Sequence, residues 1–230
     1  DSHADALTYN LNAKIKNNDL SLFKVNIEMY LKDIQIKNLA NHDDFIKRYN
    51  QIDNFLYNNS NLIVIFHQRW SHHLERIYLD NEYEDKNLLE NQIKLRLSKQ
   101  IKSIIDLGHQ LILVYPVVEL NFIPNRLLYR KYLFENNFNI KSIPILSVSY
   151  DLYKKRHKLI YEILDNIQSP NIHRVYPHKL FCNKRLDDKC VANDENNIFY
   201  YDDNHLSIRG SEFVVDEIMN KIKEIKLNIN

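Results

Sequence analysis

Glycine is almost absent from this chain: only Gly108 and Gly210 occur among 230 residues. Average usage in proteins is about 7%, so most turns must be built without the residue that adopts positive φ at no steric cost. Asparagine and aspartate are the next best residues in that region of backbone space. We therefore expect them at the turns.

Long apolar runs and an excess of one charge are also missing. No run of about 18 apolar residues occurs, so we expect no bilayer-spanning helix, and no signal peptide is visible. The 31 basic residues nearly balance the 30 acidic residues, which gives a formal net charge of +1. Nucleic-acid binders and proteins of anionic membrane surfaces usually carry a basic excess, so this balance argues against both.

The hydrophobic pattern predicts a single α/β domain over residues 1–230, because 44% hydrophobic content can bury one sizeable core. Strands are expected at 62–66, 111–115 and 171–176, with a further one near 23–27. Helices are expected at 3–17, 43–57, 85–107, 149–167 and 207–226, with a short one near 126–134 in an irregular stretch, 117–147. This alternation favours a parallel sheet covered on both faces, with its active site beyond the carboxyl ends of the strands.

Two short motifs at opposite ends of the chain hold candidate catalytic residues. Asp1-Ser2-His3-Ala4 places a serine at the start of the first predicted helix, in the positive field of unpaired amides. Asp202 lies three residues before His205, and a tight turn would bring its carboxylate to the ring; Asp203 is the second choice. Together they would supply the nucleophile, base and orienting carboxylate of acyl transfer. The alternative is an N-cap serine and solvated or capping aspartates.

Cys182 and Cys190 are the only cysteines, and they flank the polar loop 183–189. Two cysteines cannot complete a zinc site, and the spacing is not Cys-x-x-Cys. A loop-closing disulfide, worth about 2.5 kcal/mol by loop entropy, would require an oxidising compartment. Two free thiols in a cytosolic protein are the alternative.

The segment His67–Trp70 follows the predicted strand 62–66 and should reach the same sheet edge as Ser2. Arg69 is a candidate to anchor a sugar hydroxyl, a carboxylate or an oxyanion. Trp70, the single tryptophan, could stack on a sugar ring or pack in the core. The adjacent pair at 72–73 lacks further ligands at metal spacing, so we expect exposed loop histidines and no metal site.

The two end motifs resemble blocks of the SGNH hydrolase superfamily, where a serine follows the first strand and Asp-x-x-His precedes the last helix. The chain is more similar still to the SGNH-like domain fused to bacterial acyltransferase family 3 membrane proteins, which O-acylate surface polysaccharides. This resemblance implies a three-layer α/β/α, flavodoxin-like fold with a parallel central sheet. It implies catalytic roles for Ser2, Asp202 and His205 and no metal or organic cofactor. The family also carries a similar cysteine pair and an Arg-Trp pair.

The resemblance further implies a periplasmic O-acyltransferase, in the first instance an O-acetyltransferase, that acylates a glycan hydroxyl through Ser2. The acceptor would be lipopolysaccharide or another surface polysaccharide, with no nucleic-acid partner. Since the chain starts at Asp1, without methionine, we expect the first strand and a membrane domain that delivers the acyl donor to lie upstream. This segment would then be the soluble part of a membrane protein, at the periplasmic face of the bacterial inner membrane.

Two alternatives remain open: a carbohydrate O-acetylesterase, which passes the acyl group to water, and a non-catalytic glycan-binding domain on the same fold. The latter is favoured by departures from the classical blocks. No glycine lies between Ser2 and Gly108 to supply the second-block oxyanion residue, and no Gly-x-Asn-Asp occurs. We therefore expect the second oxyanion donor to be a backbone N–H or a side chain near His67–Trp70.

Overall fold

The computed structural model describes residues 2–16, 18, 20–24, 42–72, 74–75, 86–130 and 143–229. Its helices, in chain order, are α1 (Ser2–Lys16), α2 (His42–Asn58), α3 (Lys86–Asp106), α4 (Pro124–Leu128), α5 (Tyr150–Asp165), α6 (His178–Phe181) and α7 (Ile208–Ile229). Its strands are β1 (Ile63–Phe66), β2 (Gln110–Val114), β3 (Ser147–Ser149), β4 (Ile172–Val175) and β5 (Lys189–Val191). Residues 70–72 and 74–75 are also helical.

Strands β1, β2 and β4 form a parallel sheet in the order β1-β2-β4. Each is a short, mostly apolar segment of the kind that buried parallel strands require. All three were predicted from the sequence, as were the helices α1, α2, α3, α5 and α7. The α/β class is therefore confirmed.

Successive residues of β2 point to opposite faces of the sheet, as the period of a strand dictates. Ile112 and Val114 belong to the core beneath α1 and α7. Leu111, Leu113 and the following Tyr115 belong to the core beneath α3 and α5. The sheet is thus the middle of three layers, as predicted.

Helix α1 brings the start of the chain against its last helix, because Leu7, Leu11 and Ile15 form a buried stripe spaced by one helical turn. Burial of each such side chain contributes about 1.5–3 kcal/mol. Asn10 also joins α1 to α7, because its Nδ2 donates to the Ile208 carbonyl at 2.7 Å. It also donates to a serine hydroxyl one turn further along α7, at 2.8 Å. The segment just before α7 is thereby fixed beside the first turn of α1.

Asparagine and aspartate take the turn positions that glycine usually occupies, as expected. Asn61, Asn183 and Asp188 have φ of 57°, 52° and 55°. Gly108 has φ of 84° and ends α3 where the sequence predicts, with its N–H donating to the Ile105 carbonyl at 2.8 Å.

A short antiparallel pair, β3 with β5, was not predicted. It borders the loop that the Cys182–Cys190 disulfide closes, and this disulfide is present. Of the strand predicted near 23–27, residues 23 and 24 have no regular secondary structure, and the rest lies outside the described residues. The helix predicted near 126–134 corresponds to α4, and residues 131–134 also lie outside. No helix in the described ranges has the length and apolarity to cross a membrane.

Candidate active site

Ser2, His205 and Asp202 form a continuous hydrogen-bonded chain. Ser2 is the first residue of α1, and the other two lie in the loop before α7. His205 Nε2 is 2.7 Å from Ser2 Oγ, and His205 Nδ1 is 2.7 Å from Asp202 Oδ2. Since the carboxylate accepts the Nδ1 proton, Nε2 holds the lone pair and the Ser2 hydroxyl donates to it. This is the arrangement that a serine needs to lose its proton during attack.

The three-residue spacing brings His205 to Asp202 because the Asp202 carboxylate holds the backbone between them in a tight turn. Asp202 Oδ1 accepts the N–H of His205 at 2.7 Å and the N–H of Asn204 at 2.9 Å. Its other oxygen is left for the His205 ring. Burial acts to raise the pKa of Asp202, but these backbone and ring contacts outweigh it and hold the pKa below its usual value. The aspartate is therefore ionised at neutral pH.

Backbone hydrogen bonds hold the loop at 201–207, which carries Asp202 and His205. The N–H of Leu120, from the segment after β2, donates to the Asp203 carbonyl at 2.6 Å. The N–H of Tyr201 donates to the His205 carbonyl at 2.8 Å, which closes the loop on itself. These bonds hold the loop near the carboxyl end of β2.

Gly210, in the first turn of α7, allows the helix to approach the chain that leads into the loop at 201–207. A Cβ at this position would lie 2.0 Å from the Phe199 carbonyl oxygen, so no larger residue fits without movement. Ser207 caps the same turn, because its Oγ accepts the Gly210 N–H at 3.1 Å and donates to the Ile198 carbonyl at 2.7 Å. The residues just after His205 are thus held closely against the helix.

His3, to which the sequence assigned no role, holds the loop at 201–207 to α1. It is only 3% exposed. Its Nε2 lies 2.9 Å from Asn204 Oδ1, and its ring meets the His205 ring edge-on at a centroid distance of 4.9 Å. Burial lowers the pKa of His3 to about 4, so the ring is neutral at pH 7. Since the Asn204 oxygen can only accept, His3 carries its proton on Nε2. The sequence signal for this contact was that His3 follows Ser2 and Asn204 precedes His205.

A charged cluster that the sequence did not predict lies next to the loop. Arg69 binds the Glu119 carboxylate through Nε at 3.1 Å and Nη2 at 2.6 Å. Arg156 approaches the same carboxylate at 3.2 Å and contacts Glu75 at 3.1 Å. The Glu119 side chain is 3% exposed. Burial acts to raise its pKa, but the two guanidinium groups keep it lowered. Arg69 therefore binds a buried carboxylate beside the site, and its contact with a substrate or an oxyanion stays a prediction.

Trp70 takes the packing role of the two that the sequence left open. It is 1% exposed, its Nε1 donates to the Val114 carbonyl at 3.0 Å, and its ring meets Phe66 edge-on at 5.1 Å. A ring buried on all sides has no face for a sugar.

His67 is buried as well, with Nδ1 3.3 Å from the carbonyl of Val114, the last residue of β2. Its ring centroid is 6.0 Å from that of His3, which places α1's first turn at the carboxyl ends of β1 and β2. The Gln68 side chain is 1% exposed, and its amide has no hydrogen-bond partner among the described residues. His72 is the last of the helical residues 70–72, and His73 falls outside the described residues. Within the described part, no three metal-ligating side chains cluster.

A parallel sheet in three layers, with a serine, histidine and aspartate beyond its strand ends, defines an α/β domain of the SGNH type. The profile of the family described as "SGNH domain (fused to AT3 domains)" matches residues 1–220, so the chain belongs to this family. A comparison with curated proteins found no match.

A solved structure shares the fold: the periplasmic domain of a lipopolysaccharide acetyltransferase from Salmonella ser. Paratyphi A. The TM-score is 0.60 at 22% identity, and the alignment covers 96% of this chain and 80% of that one. The predicted SGNH fold is thereby confirmed.

Proposed function

We propose that this chain transfers an acyl group, in the first instance acetyl, to a glycan hydroxyl through Ser2. The observation that carries this proposal is the hydrogen-bonded chain from Ser2 through His205 to Asp202, with both links at 2.7 Å. Such a chain supplies the nucleophile, the general base and the orienting carboxylate of covalent acyl transfer.

In the first half-reaction, Ser2 Oγ attacks the acyl carbonyl carbon while His205 Nε2 takes its proton. Asp202, already ionised, stabilises the resulting imidazolium through Nδ1. The tetrahedral intermediate collapses to an ester on Ser2, and His205 returns the proton to the leaving group. In the second half-reaction, His205 removes a proton from the acceptor hydroxyl, whose oxygen attacks the carbonyl carbon of the ester. The tetrahedral intermediate then expels Ser2 Oγ, and His205 returns the proton to it.

The oxyanion formed at each step needs hydrogen-bond donors already in place. The N–H groups of the first turn of α1, including that of Ser2, have no acceptor within the helix and are one source. For the second donor we propose the Gln68 side-chain amide. The Nε1 of Trp70 and the Nδ1 of His67 are both directed at the Val114 carbonyl, whereas the Gln68 amide has no partner within the described residues.

The nature of the acceptor and the location of the reaction are inferred from the relatives. The family's SGNH domains are fused to AT3 domains, and the structural neighbour is described as periplasmic and as part of a lipopolysaccharide acetyltransferase. We infer a surface polysaccharide as acceptor, a periplasmic location and an upstream membrane domain that delivers the acyl donor. The Cys182–Cys190 disulfide fits an oxidising compartment.

One observation favours hydrolysis as a second candidate function. Ser2 is exposed and the side chain of His205 is 27% exposed, so water can reach an acyl group on the serine. A carbohydrate O-acetylesterase would use the same three residues with water in place of the acceptor hydroxyl.

The test is to follow an acetyl group from p-nitrophenyl acetate. We expect a p-nitrophenol burst, and an intact mass raised by one acetyl group that maps to Ser2. Bacterial lipopolysaccharide added as acceptor should then become acetylated; free acetate alone would favour the esterase. A burst unchanged in Ser2→Ala would contradict the mechanism.

A further inference from the structure

A pocket of about 300 Å³ lies between the segment that follows β2 and the start of α5. Its walls include Glu119 and Asn121 from the first, and Leu152, Arg156 and His157 from the second. The volume is at the lower end of small-molecule sites, about 300–1,000 Å³. It therefore suits a ligand of about one sugar ring.

His157, which lines this pocket, carries a buried polar atom that has no partner among the described residues. The residue is 2% exposed and its Nδ1 bonds to the Ser71 hydroxyl, but its Nε2 is buried with no partner among the described residues. Burial lowers its pKa to about 3, so the ring is neutral. Nε2 is a donor if the Ser71 hydroxyl donates to Nδ1, and an acceptor if it does not. A hydroxyl group on a ligand satisfies either state, because it both donates and accepts.

The charges around the pocket are paired with one another. Arg156 lies between the carboxylates of Glu75 and Glu119, and Glu119 is also bound by Arg69. Two positive and two negative side chains leave no net charge for an ionic ligand to neutralise. The pocket therefore suits a neutral ligand.

An apolar surface completes the lining. Leu152 is 64% exposed on the first turn of α5, and the neighbouring Tyr153 ring also faces the pocket. The hydroxyl of Tyr153 already donates to the Pro116 carbonyl at 2.9 Å, so its ring contributes carbon surface. Sugar rings present C–H faces and hydroxyl edges together, which matches this combination.

The pocket adjoins the loop at 201–207, which carries Asp202 and His205. Leu120, which lines the pocket, donates its N–H to the carbonyl of Asp203, the residue after Asp202. On the other side, the Arg69 guanidinium that holds Glu119 belongs to the segment after β1, beside His67 and so near His3. A ligand held here would lie beside the loop that carries Asp202 and His205.

We propose that this pocket binds a neutral hexose or deoxyhexose ring of the acceptor glycan, with a ring hydroxyl on His157 Nε2 and a C–H face on Leu152. The inference rests on the proposed function only in that it calls the glycan an acceptor. Binding of the sugar does not require catalysis.

The test is saturation-transfer NMR titration with methyl α-D-glucopyranoside, methyl α-D-galactopyranoside, methyl α-L-rhamnopyranoside and methyl β-D-glucuronide. At least one neutral glycoside should bind more tightly than the glucuronide. It should bind to Ser2→Ala as well as to the natural sequence. Asn121→Trp, at an exposed rim position, should block the pocket, and Leu152→Asp should weaken binding by about tenfold. Leu95→Asp, on an equally exposed leucine of α3, is the matched control and should change nothing.

Failure of every neutral glycoside to bind, tighter binding of the glucuronide, or binding unaffected by Asn121→Trp would each overturn the proposal. Binding that Asn121→Trp abolishes would support the sugar site even if Ser2 proved unreactive. Failure of the sugar site and failure of acyl transfer are therefore distinguishable.

Discussion

Acid should destabilise this protein through His67, whose ring is buried beneath the site. Burial lowers its pKa from 6.5 to about 3. The unfolded chain then takes up a proton near pH 6.5, while the folded chain does not until near pH 3. The stability that comes from a neutral His67 is thus fully present above about pH 6.5 and is lost as the pH falls towards 3.

The magnitude follows from the difference between the two pKa values. Below about pH 6.5, each pH unit removes up to about 1.4 kcal/mol from the free energy of unfolding. At about pH 5, His67 alone should therefore have removed about 2 kcal/mol. That is a large share of the 5–15 kcal/mol that domains typically possess.

Urea denaturation at about pH 8 and about pH 5 measures this directly through the midpoint and slope. His67→Gln keeps a side-chain donor for the Val114 carbonyl but removes the titration, so the difference between the two pH values should shrink by about 2 kcal/mol. His173→Gln is the control, because that ring is only partly buried and its pKa is less depressed. An equal pH dependence in His67→Gln and the natural sequence would refute the reasoning.

Three further predictions concern the loop and its supports. Asp202→Asn should lower p-nitrophenyl acetate turnover by about 10³- to 10⁴-fold without unfolding the protein; near-normal turnover would argue against an orienting role. Thiol labelling of denatured, unreduced protein should detect neither Cys182 nor Cys190, and Cys190→Ser should cost about 2.5 kcal/mol of stability; stoichiometric labelling would contradict the disulfide. Gly210→Ala should cost about 1–3 kcal/mol and reduce turnover, because its Cβ would clash with the Phe199 carbonyl; an unchanged melting temperature would contradict this.

The sheet, the long helices and the proximity of Ser2, Asp202 and His205 could be predicted because each had a signal of its own in the sequence. The runs at 62–66 and 111–115 are apolar enough to be buried strands, and Gly108 marks the end of α3. The triad depended on two separate motifs whose residue types and spacing suit one reaction. The two motifs lie far apart in the sequence, but the packing of α1 on α7 brings them together.

Three features could not be predicted. The first depends on contacts between distant polar residues. Glu119 lies in an apolar stretch and gave no sign that Arg69 and Arg156 would meet on its carboxylate. Strand β3, Ser147–Ser149, has three residues, too few for a period of two to be recognised. Trp70 follows a strand exactly where a ligand-binding residue would, and only its burial shows that it packs.

The measurement that tests the central claim most directly is fluorophosphonate labelling of the natural full-length protein, followed by mass mapping, with Ser2→Ala as control. A fluorophosphonate reacts with a serine only where a neighbouring base and an oxyanion site activate it. The account predicts one adduct, on Ser2, absent from Ser2→Ala and strongly reduced in His205→Ala. A folded protein that forms no adduct, or one that is labelled equally in Ser2→Ala, would contradict it.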